Sequence, residues 1–122
     1  MKDYFVRAIQ NITKFGDTDI FPFPIENHVL FDKQKEAVDL LLDIDQNFAD
    51  RLAQFPPTNT NALVPVSYTG FRWATQLDPI WNAYFLGLVL SISEEIEKAR
   101  VPAKGKVSFS YRINPDIRGL TP

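Results

Sequence analysis

The chain has 122 residues, 45% of them hydrophobic, and a formal net charge of −2, which is typical of a single globular domain, or a fragment of one, that can bury a core. It contains no cysteine, so disulfides and thiolate metal ligands are excluded, and a reducing, cytoplasmic environment is expected. The N-terminus has no uninterrupted apolar core of the signal-peptide kind. We therefore expect neither secretion nor insertion into a membrane.

The charges are unevenly distributed along the sequence. Residues 98–122 contain six lysines and arginines and a single acidic residue, Asp116, and so carry +5, whereas the first 97 residues carry −7. A basic end on an acidic body can steer a polyanion to one edge of the molecule. The alternative is that the basic end is an ordinary solvated segment.

The first predicted elements are a helix and an extended segment. Residues 3–15 place apolar side chains at positions i, i+3, i+4 and i+7, and Gly16 supplies a stop. In residues 17–32, Pro22 and Pro24 remove two backbone donors and hold the preceding residues extended. Because this segment is rich in apolar residues, we expect it to lie across the core with its aromatic side chains pointing inward.

A second helix is predicted over residues 33–55, with Asp32 as its N-cap and two prolines at its end. Its apolar side chains form one stripe: Leu41, Ile44, Phe48, Leu52 and Phe55. Residues 62–68 are predicted to form a short extended piece, and Pro65 confines any strand there to a sheet edge.

The third and most apolar helix is predicted over residues 78–100, with Asp78 as N-cap and Pro79 in the first helical position. Residues 80–92 are apolar almost all round, and the run is too short to cross a bilayer. We therefore expect protein to surround this part on all sides. Residues 93–100 are charged and should emerge into water.

The C-terminal part alternates apolar and polar residues over 107–112, the period of a half-buried strand. The sequence then ends without a closing element, so we expect it to be a piece of a longer polypeptide. The predicted fold class is mainly α (α+β). It has three helices, extended proline-containing segments and a short C-terminal β-strand or hairpin.

Catalytic and metal-binding patterns are weak. His28 is the only histidine and could be a general base, but a packed or capping role is favoured. The pairs Asp17/Asp19 and Asp43/Asp45 have no third ligand at a regular spacing. We expect a turn and capping role for the first pair and a solvated acidic helix face for the second. Phosphate-binding glycine loops and nucleophile elbows are absent from the sequence.

Basic and aromatic residues give the clearest functional indication, because nucleic-acid binding needs cations for phosphates and flat rings for bases. The candidate contact residues are Arg72, Lys104, Lys106, Tyr111 and Arg112. For Arg72 the alternative is an ion pair with an acidic neighbour. For Trp73, which follows it, core packing is favoured over base stacking.

Three segments of the chain are distinctive: GDTDIFPFPIENHVLFDK (residues 16–33), YTGFRWATQLDPIWNAYFLGLVLSISEEIE (68–97) and FSYRINPD (109–116). They resemble the N-terminal region of bacterial reverse transcriptases linked to phage defence. The resemblance implies a fingers-type region that precedes the palm of an RNA-directed DNA polymerase. By position, it gives Lys104, Lys106 and Arg112 contacts with nucleotide phosphates or template.

In this family two Mg²⁺ ions are held by palm aspartates, and neither palm motif is present. LLDIDQNF (residues 41–48) imitates the first motif, but its periodicity is helical. The resemblance therefore implies a chain that needs no cofactor itself and is inactive alone, with Mg²⁺ serving the full-length enzyme. Its expected partners are RNA or DNA and either the palm or another protein. The alternative is a stand-alone helical protein-interaction domain.

Overall fold

The computed structural model describes residues 1–16 and 25–100 and the backbone of two short strands near the C-terminus. The helices are α1 Lys2–Phe15, α2 Glu26–Asp32, α3 Gln34–Gln46, α4 Phe48–Gln54, α5 Pro79–Ser91 and α6 Ser93–Ala99. The strands are β1 Asn59–Pro65, β2 Phe71–Leu77, β3 Arg112–Ile113 and β4 Leu120–Thr121. The prediction of a mainly helical α+β fold is confirmed. None of the described helices is long and apolar enough to cross a membrane.

Helix α1 lies at the centre of the core, as its apolar period predicts. Phe5, Ala8, Ile9 and Ile12 are buried on one face, and this face packs against α3 and α5. The helix ends at Gly16, which adopts φ 79° and donates its N–H to the carbonyl of Ile12 at 2.8 Å. Glycine takes this left-handed conformation without steric cost.

The prediction of an extended, inward-pointing segment over residues 17–32 is wrong where it can be compared. Residues 17–24 lie outside the described part, and the chain forms α2 directly afterwards. Only Leu30 of α2 is buried, whereas Ile25, Val29 and Phe31 are exposed. No proline follows Pro24 in this segment, so the backbone is free to form helical hydrogen bonds.

The single helix predicted over residues 33–55 is two helices, with a break at Asn47 (φ −121°, ψ 37°). Asn47 donates both its backbone N–H and its side-chain amide to the carbonyl of Asp43, at 2.9 and 3.3 Å, so the helical hydrogen bond is kept and the break is a change of backbone angle at this residue. Asp32 closes α2 instead of capping the next helix. The predicted stripe is inward only in part: Leu41 and Ile44 are buried, Leu52 and Phe55 half-buried and Phe48 exposed.

An aromatic cluster joins α1, the end of α4 and α5. The Trp81 ring lies 5.9 Å from both Phe55 and Tyr84, and Tyr84 stacks on Phe5 at 5.6 Å, measured between ring centroids. The indole Nε1 of Trp81 donates to the carbonyl of Phe55 at 3.0 Å. This bond satisfies the one polar atom that burial of the indole takes out of water.

The predicted start of α5 is confirmed, because Asp78 Oδ1 accepts hydrogen bonds from the backbone N–H groups of Ile80 and Trp81. Two other expectations for this helix are wrong. It ends at Ile92, after which α6 begins as a separate helix. It is also not surrounded on all sides, since Phe85 is 59% and Ile92 54% exposed. Helix α1 covers one side of α5, and no described element covers the opposite side to the same extent.

Strands β1 and β2 form an antiparallel hairpin in which Leu63 pairs with Trp73 and Ala62 with Ala74. The turn is closed by the Val66 N–H, which donates to the carbonyl of Gly70 at 2.9 Å. The extended piece predicted over residues 62–68 corresponds to part of β1 and the turn, and the prediction missed β2. At the C-terminus β3 pairs with β4, in agreement with a short hairpin there. The strand predicted over 107–112 lies outside the described residues, apart from Arg112.

Candidate nucleic-acid interface

Of the five predicted contact residues, Arg72 alone has a described side chain. It lies on β2 opposite Val64 and is exposed. Lys104, Lys106 and Tyr111 lie outside the described residues, and of Arg112 the structure gives only the backbone pairing with Thr121. The contact role of these four residues therefore stays a prediction.

Phe71, Arg72 and Trp73 are consecutive in the sequence, but β2 places them on different faces of the hairpin. Side chains of a strand alternate between its two faces, so Arg72 lies on the face of Ala74 and Gln76, while Phe71 and Trp73 lie on the other. Ala74 and Gln76 are buried, and Trp73 is exposed. The expectation that Trp73 packs in the core is wrong, because β2 turns its ring away from the body.

The exposed face of the hairpin is apolar. Across the two strands, Leu63 faces Trp73 and Pro65 faces Phe71, and all four side chains are exposed. We call these four residues the hairpin outer face. Below them the Thr75 hydroxyl donates to Asn61 Oδ1 at 2.8 Å, which ties the two strands together at a polar position. This face offers rings and aliphatic groups to a ligand, and no charge.

A second apolar surface lies on α5. Phe85 and Val89 are four residues apart and therefore share one side of the helix, and Ile92 directly follows its last residue. Phe85 and Ile92 are exposed and Val89 is half-buried. This surface is the reverse of the one that packs on α1 through Tyr84 and Gly87.

The two aspartates of the candidate pair at residues 43 and 45 have separate partners. Asp43 Oδ2 forms an ion pair with Arg51 Nε at 2.6 Å, and Asp43 Oδ1 accepts a hydrogen bond from Asn47 Nδ2 at 2.9 Å. The Arg51 guanidinium beside it holds the pKa of Asp43 below its ordinary value. Asp45 accepts from the Tyr84 hydroxyl at 3.3 Å. The prediction that they point in different directions is confirmed, but both are half-buried and partnered, not a solvated face.

The other chemical candidates form no reactive arrangement where the structure describes them. His28 lies exposed on α2, so the packed role expected for it is wrong. Asp17 and Asp19 lie outside the described residues. Within 1–16 and 25–100, no group of three or more acidic or histidine side chains could hold a metal ion.

Comparison with known proteins adds no relative: no family model, no curated protein and no solved structure matches the chain.

Sequence reasoning missed the hairpin outer face, although a signal was present. Phe71, Trp73 and Leu77 alternate with polar or small residues, and Tyr68-Thr69-Gly70 supplies a turn before them. That pattern is typical of the second strand of a hairpin. These residues also lie directly before Asp78, the N-cap of the most apolar helix, so the sequence favours their assignment to that helical segment and not to a strand.

Proposed function

We propose that this chain is the N-terminal, fingers-type region of a bacterial RNA-directed DNA polymerase involved in phage defence. It contributes scaffold and contacts to nucleic acid or nucleotide, and it does not catalyse polymerisation alone. The observation that carries the proposal is the resemblance of residues 16–33, 68–97 and 109–116 to that region of the family.

The charge distribution supports a nucleic-acid contact at the C-terminal end. Residues 98–122 carry +5 on a body that carries −7, and a polyanion is drawn to the positive end of such a molecule. The residues proposed to contact phosphate are Lys104, Lys106 and Arg112, with Tyr111 as an aromatic neighbour in sequence. Arg72 is a separate candidate, because it is exposed on the opposite side of β2 from the apolar rings.

The helical body supports the scaffold role. Its core is closed by α1, α3 and α5 around Phe5, Leu41 and Tyr84, while the hairpin outer face and the outward side of α5 stay exposed. Exposed apolar surfaces of this kind are typical of regions that pack against further protein. On this proposal, the palm packs there and supplies the carboxylates that hold Mg²⁺ for phosphoryl transfer.

A salt titration of RNA binding tests the nucleic-acid role. The wild-type chain is compared with the triple variant Lys104→Ala, Lys106→Ala, Arg112→Ala, using a single-stranded RNA oligonucleotide. Each lost phosphate contact reduces the slope of log K against log salt by about 0.7. We expect weaker binding and a slope reduced by about 2 in the triple variant if all three residues contact phosphate.

The matched control removes the same amount of charge from the body, in Lys14→Ala, Lys33→Ala, Lys35→Ala, all exposed on helices or their ends. It should retain more affinity than the C-terminal triple variant. The contact role of Lys104, Lys106 and Arg112 would be contradicted if the C-terminal variant bound RNA as tightly as wild type. It would also be contradicted if both triple variants lost the same amount of affinity. The reading frame after residue 122 tests the polymerase assignment itself, which is wrong if no aspartate-bearing palm sequence follows.

The second candidate function is a stand-alone helical protein-interaction domain. The two exposed apolar faces favour it, because they are as well suited to a separate partner protein as to a palm. Light scattering combined with the RNA-binding assay separates the two. A self-associating chain with no affinity for RNA or DNA would support the interaction domain and contradict the polymerase region.

A further inference from the structure

We propose that α4 is a strap that detaches as one unit from the rings of Trp81 and Tyr84 while α1, α3 and α5 stay folded. With the strap closed, as in the structure, these two side chains are only 6% and 7% exposed. With the strap open, their rings reach solvent. Elements that move in this way let a folded domain display and hide a surface. The inference depends on contacts within the helical body and is independent of the proposed polymerase role.

Helix α4 packs more loosely than the helices of the core. None of its seven residues is buried, and Arg51 and Leu52 alone are half-buried. Among the described elements, its backbone packs mainly on α3, which adjoins it in the sequence. Helices α1 and α5, by contrast, each bury five residues. Since elements with few buried contacts open at lower free energy than the core, α4 should open before α1 and α5.

The two ends of the strap are anchored in parts of the fold that can stay closed. Before it, Ile44 is fully buried in the core. After it, the carbonyl of Thr58 accepts from the N–H of Asp78 at 2.9 Å. Asn47 is both the last donor of α3 and the first acceptor of α4, so α4 can detach without breaking the backbone hydrogen bonds of α3. A detached helix of seven residues is too short to stay helical in water.

The closed strap is held at both ends by the same residue, Trp81. The Phe48 ring lies 6.1 Å from the Trp81 ring and 6.0 Å from the Tyr84 ring, measured between centroids. Just after the C-terminal end of α4, the carbonyl of Phe55 accepts from Trp81 Nε1 at 3.0 Å. Because Trp81 joins both ends, the loss of either contact weakens the other, so α4 opens as a unit and not from one end.

An ion pair between α3 and α4 adds a weak restraint. Arg51 Nε lies 2.6 Å from Asp43 Oδ2, and the two side chains are 33% and 34% exposed. Arg51 Nη1 also donates to Gln54 Oε1 at 2.8 Å, within α4 itself. An ion pair that water reaches contributes little to stability. The pair therefore favours the closed position without preventing opening.

Native-state hydrogen exchange of the 122-residue chain, followed by NMR at urea concentrations below the unfolding transition, tests the proposal. The backbone amides of residues 51–55 should share one opening equilibrium, with protection at least about 100-fold below that of the slowest amides of α1 and α5. Urea should accelerate their exchange less steeply than exchange in the core, because opening exposes less surface than unfolding does.

Two results of this experiment would overturn the proposal. If residues 51–55 exchanged as slowly as α1 and with the same urea dependence, α4 would open only when the whole protein unfolds. If they exchanged at unrelated rates that urea does not change, the helix would fray residue by residue and not detach as a unit.

The indole proton of Trp81 tests whether the rings are uncovered, because this proton is bonded to the carbonyl of Phe55. After correction for its intrinsic rate, it should exchange with the same opening equilibrium as the α4 amides. Trp73, whose side chain is exposed, supplies an unprotected indole for comparison. If the Trp81 indole exchanged only with the core amides, α4 would open without leaving Trp81, and the proposal would be wrong.

A substitution in the core separates opening of α4 from global unfolding. Ile9 is buried on α1, and Ile9→Val should accelerate exchange in α1 and α5 about two- to tenfold. The exchange of residues 51–55 should not change, because the core keeps its contacts when the strap opens. Equal acceleration of α4 and α1 in this variant would overturn the proposal.

A substitution in the strap has a matched control on α5. Phe48→Ala removes ring contacts that only the closed state makes, and it should accelerate exchange of residues 51–55 about tenfold. Phe48 is 45% exposed, so circular dichroism should show that the variant folds. Phe85→Ala removes another exposed ring, outside the strap, and should leave these amides within about twofold of wild type. No acceleration in Phe48→Ala, or equal acceleration in both variants, would overturn the proposal.

Discussion

The ring of Phe5 on α1 lies directly against the backbone of Gly87 on α5. A Cβ atom at residue 87 would fall 2.7 Å from Phe5 Cε1 and closer still to Cδ1. Phe5 is fully buried and stacks on Tyr84, so the ring has no free space into which it could move. The missing side chain of Gly87 is what lets the two helices approach at this point.

Gly87→Ala should therefore destabilise the protein. In an unobstructed helix this change stabilises by about 1 kcal/mol, but overpacking a filled core costs about 1–3 kcal/mol, and we expect a net loss of up to about 2 kcal/mol. Urea unfolding measures it. In a Phe5→Leu background, where the obstructing ring is gone, the same substitution should be neutral or stabilising. If Gly87→Ala alone were more stable than wild type, α1 and α5 would be able to move apart at this point with little cost.

The neighbouring leucines of α3 give a test of the core with a built-in control. Leu41 is fully buried and Leu40 is partly exposed on the next position of the same helix. Leu41→Ala should cost about 2–5 kcal/mol, since it leaves a cavity, whereas Leu40→Ala should cost at most about 1 kcal/mol. Urea unfolding measures both variants. Similar losses of stability in the two would contradict the placement of Leu41 inside the core and Leu40 at its edge.

The cap of α5 depends on the side-chain oxygen of Asp78, which accepts from two backbone N–H groups at 3.0 and 3.3 Å. Asp78→Ala should lower the free energy of unfolding by about 1 kcal/mol. Asp78→Asn keeps an acceptor and should stay close to wild type in the same urea titration. If Asp78→Asn lowered the free energy of unfolding as much as Asp78→Ala, the stabilisation would come from the carboxylate charge and not from the hydrogen bond.

The phenol of Tyr84 should make stability fall at high pH. Burial, and next the negative charge of Asp45, raise the pKa of Tyr84 above its ordinary value of 10.0. The unfolded chain then loses the proton first, so the contribution is complete below about pH 10 and is lost as pH rises through the folded-state pKa. Thermal unfolding from pH 8 to 11 measures this decline.

Two variants isolate that contribution. Tyr84→Phe removes the titrating group, so the difference in stability between variant and wild type should shrink as pH rises above 10. Asp45→Asn removes one cause of the raised pKa and brings the folded-state pKa of Tyr84 closer to that of the unfolded chain, so the fall in stability above pH 10 should be smaller than in wild type. A difference between wild type and Tyr84→Phe that is constant with pH would contradict the raised pKa.

Local patterns predicted the elements whose signals lie within one turn or one strand. The apolar period of α1, its stop at Gly16 and the Asp78-Pro79 start of α5 all follow from short-range chemistry, and the structure confirms them. The breaks at Asn47 and Ile92 were missed, because an apolar stripe continues through both positions and carries no information about a local change of backbone angle. Of the hairpin, only part of β1 was predicted, because the pairing of a strand with its partner depends on residues that are distant in the sequence.

What the sequence determined by itself is the class of the fold, helix α1 with its stop at Gly16, the start of α5 at Asp78, and the concentration of positive charge at the C-terminal end. Only the tertiary structure decided which sides of these elements are covered. Trp73 and Phe85 are as hydrophobic as Phe5 and Trp81, yet the first two face outward and the second two close the core. Composition cannot make that distinction, because burial depends on which other elements pack against a face.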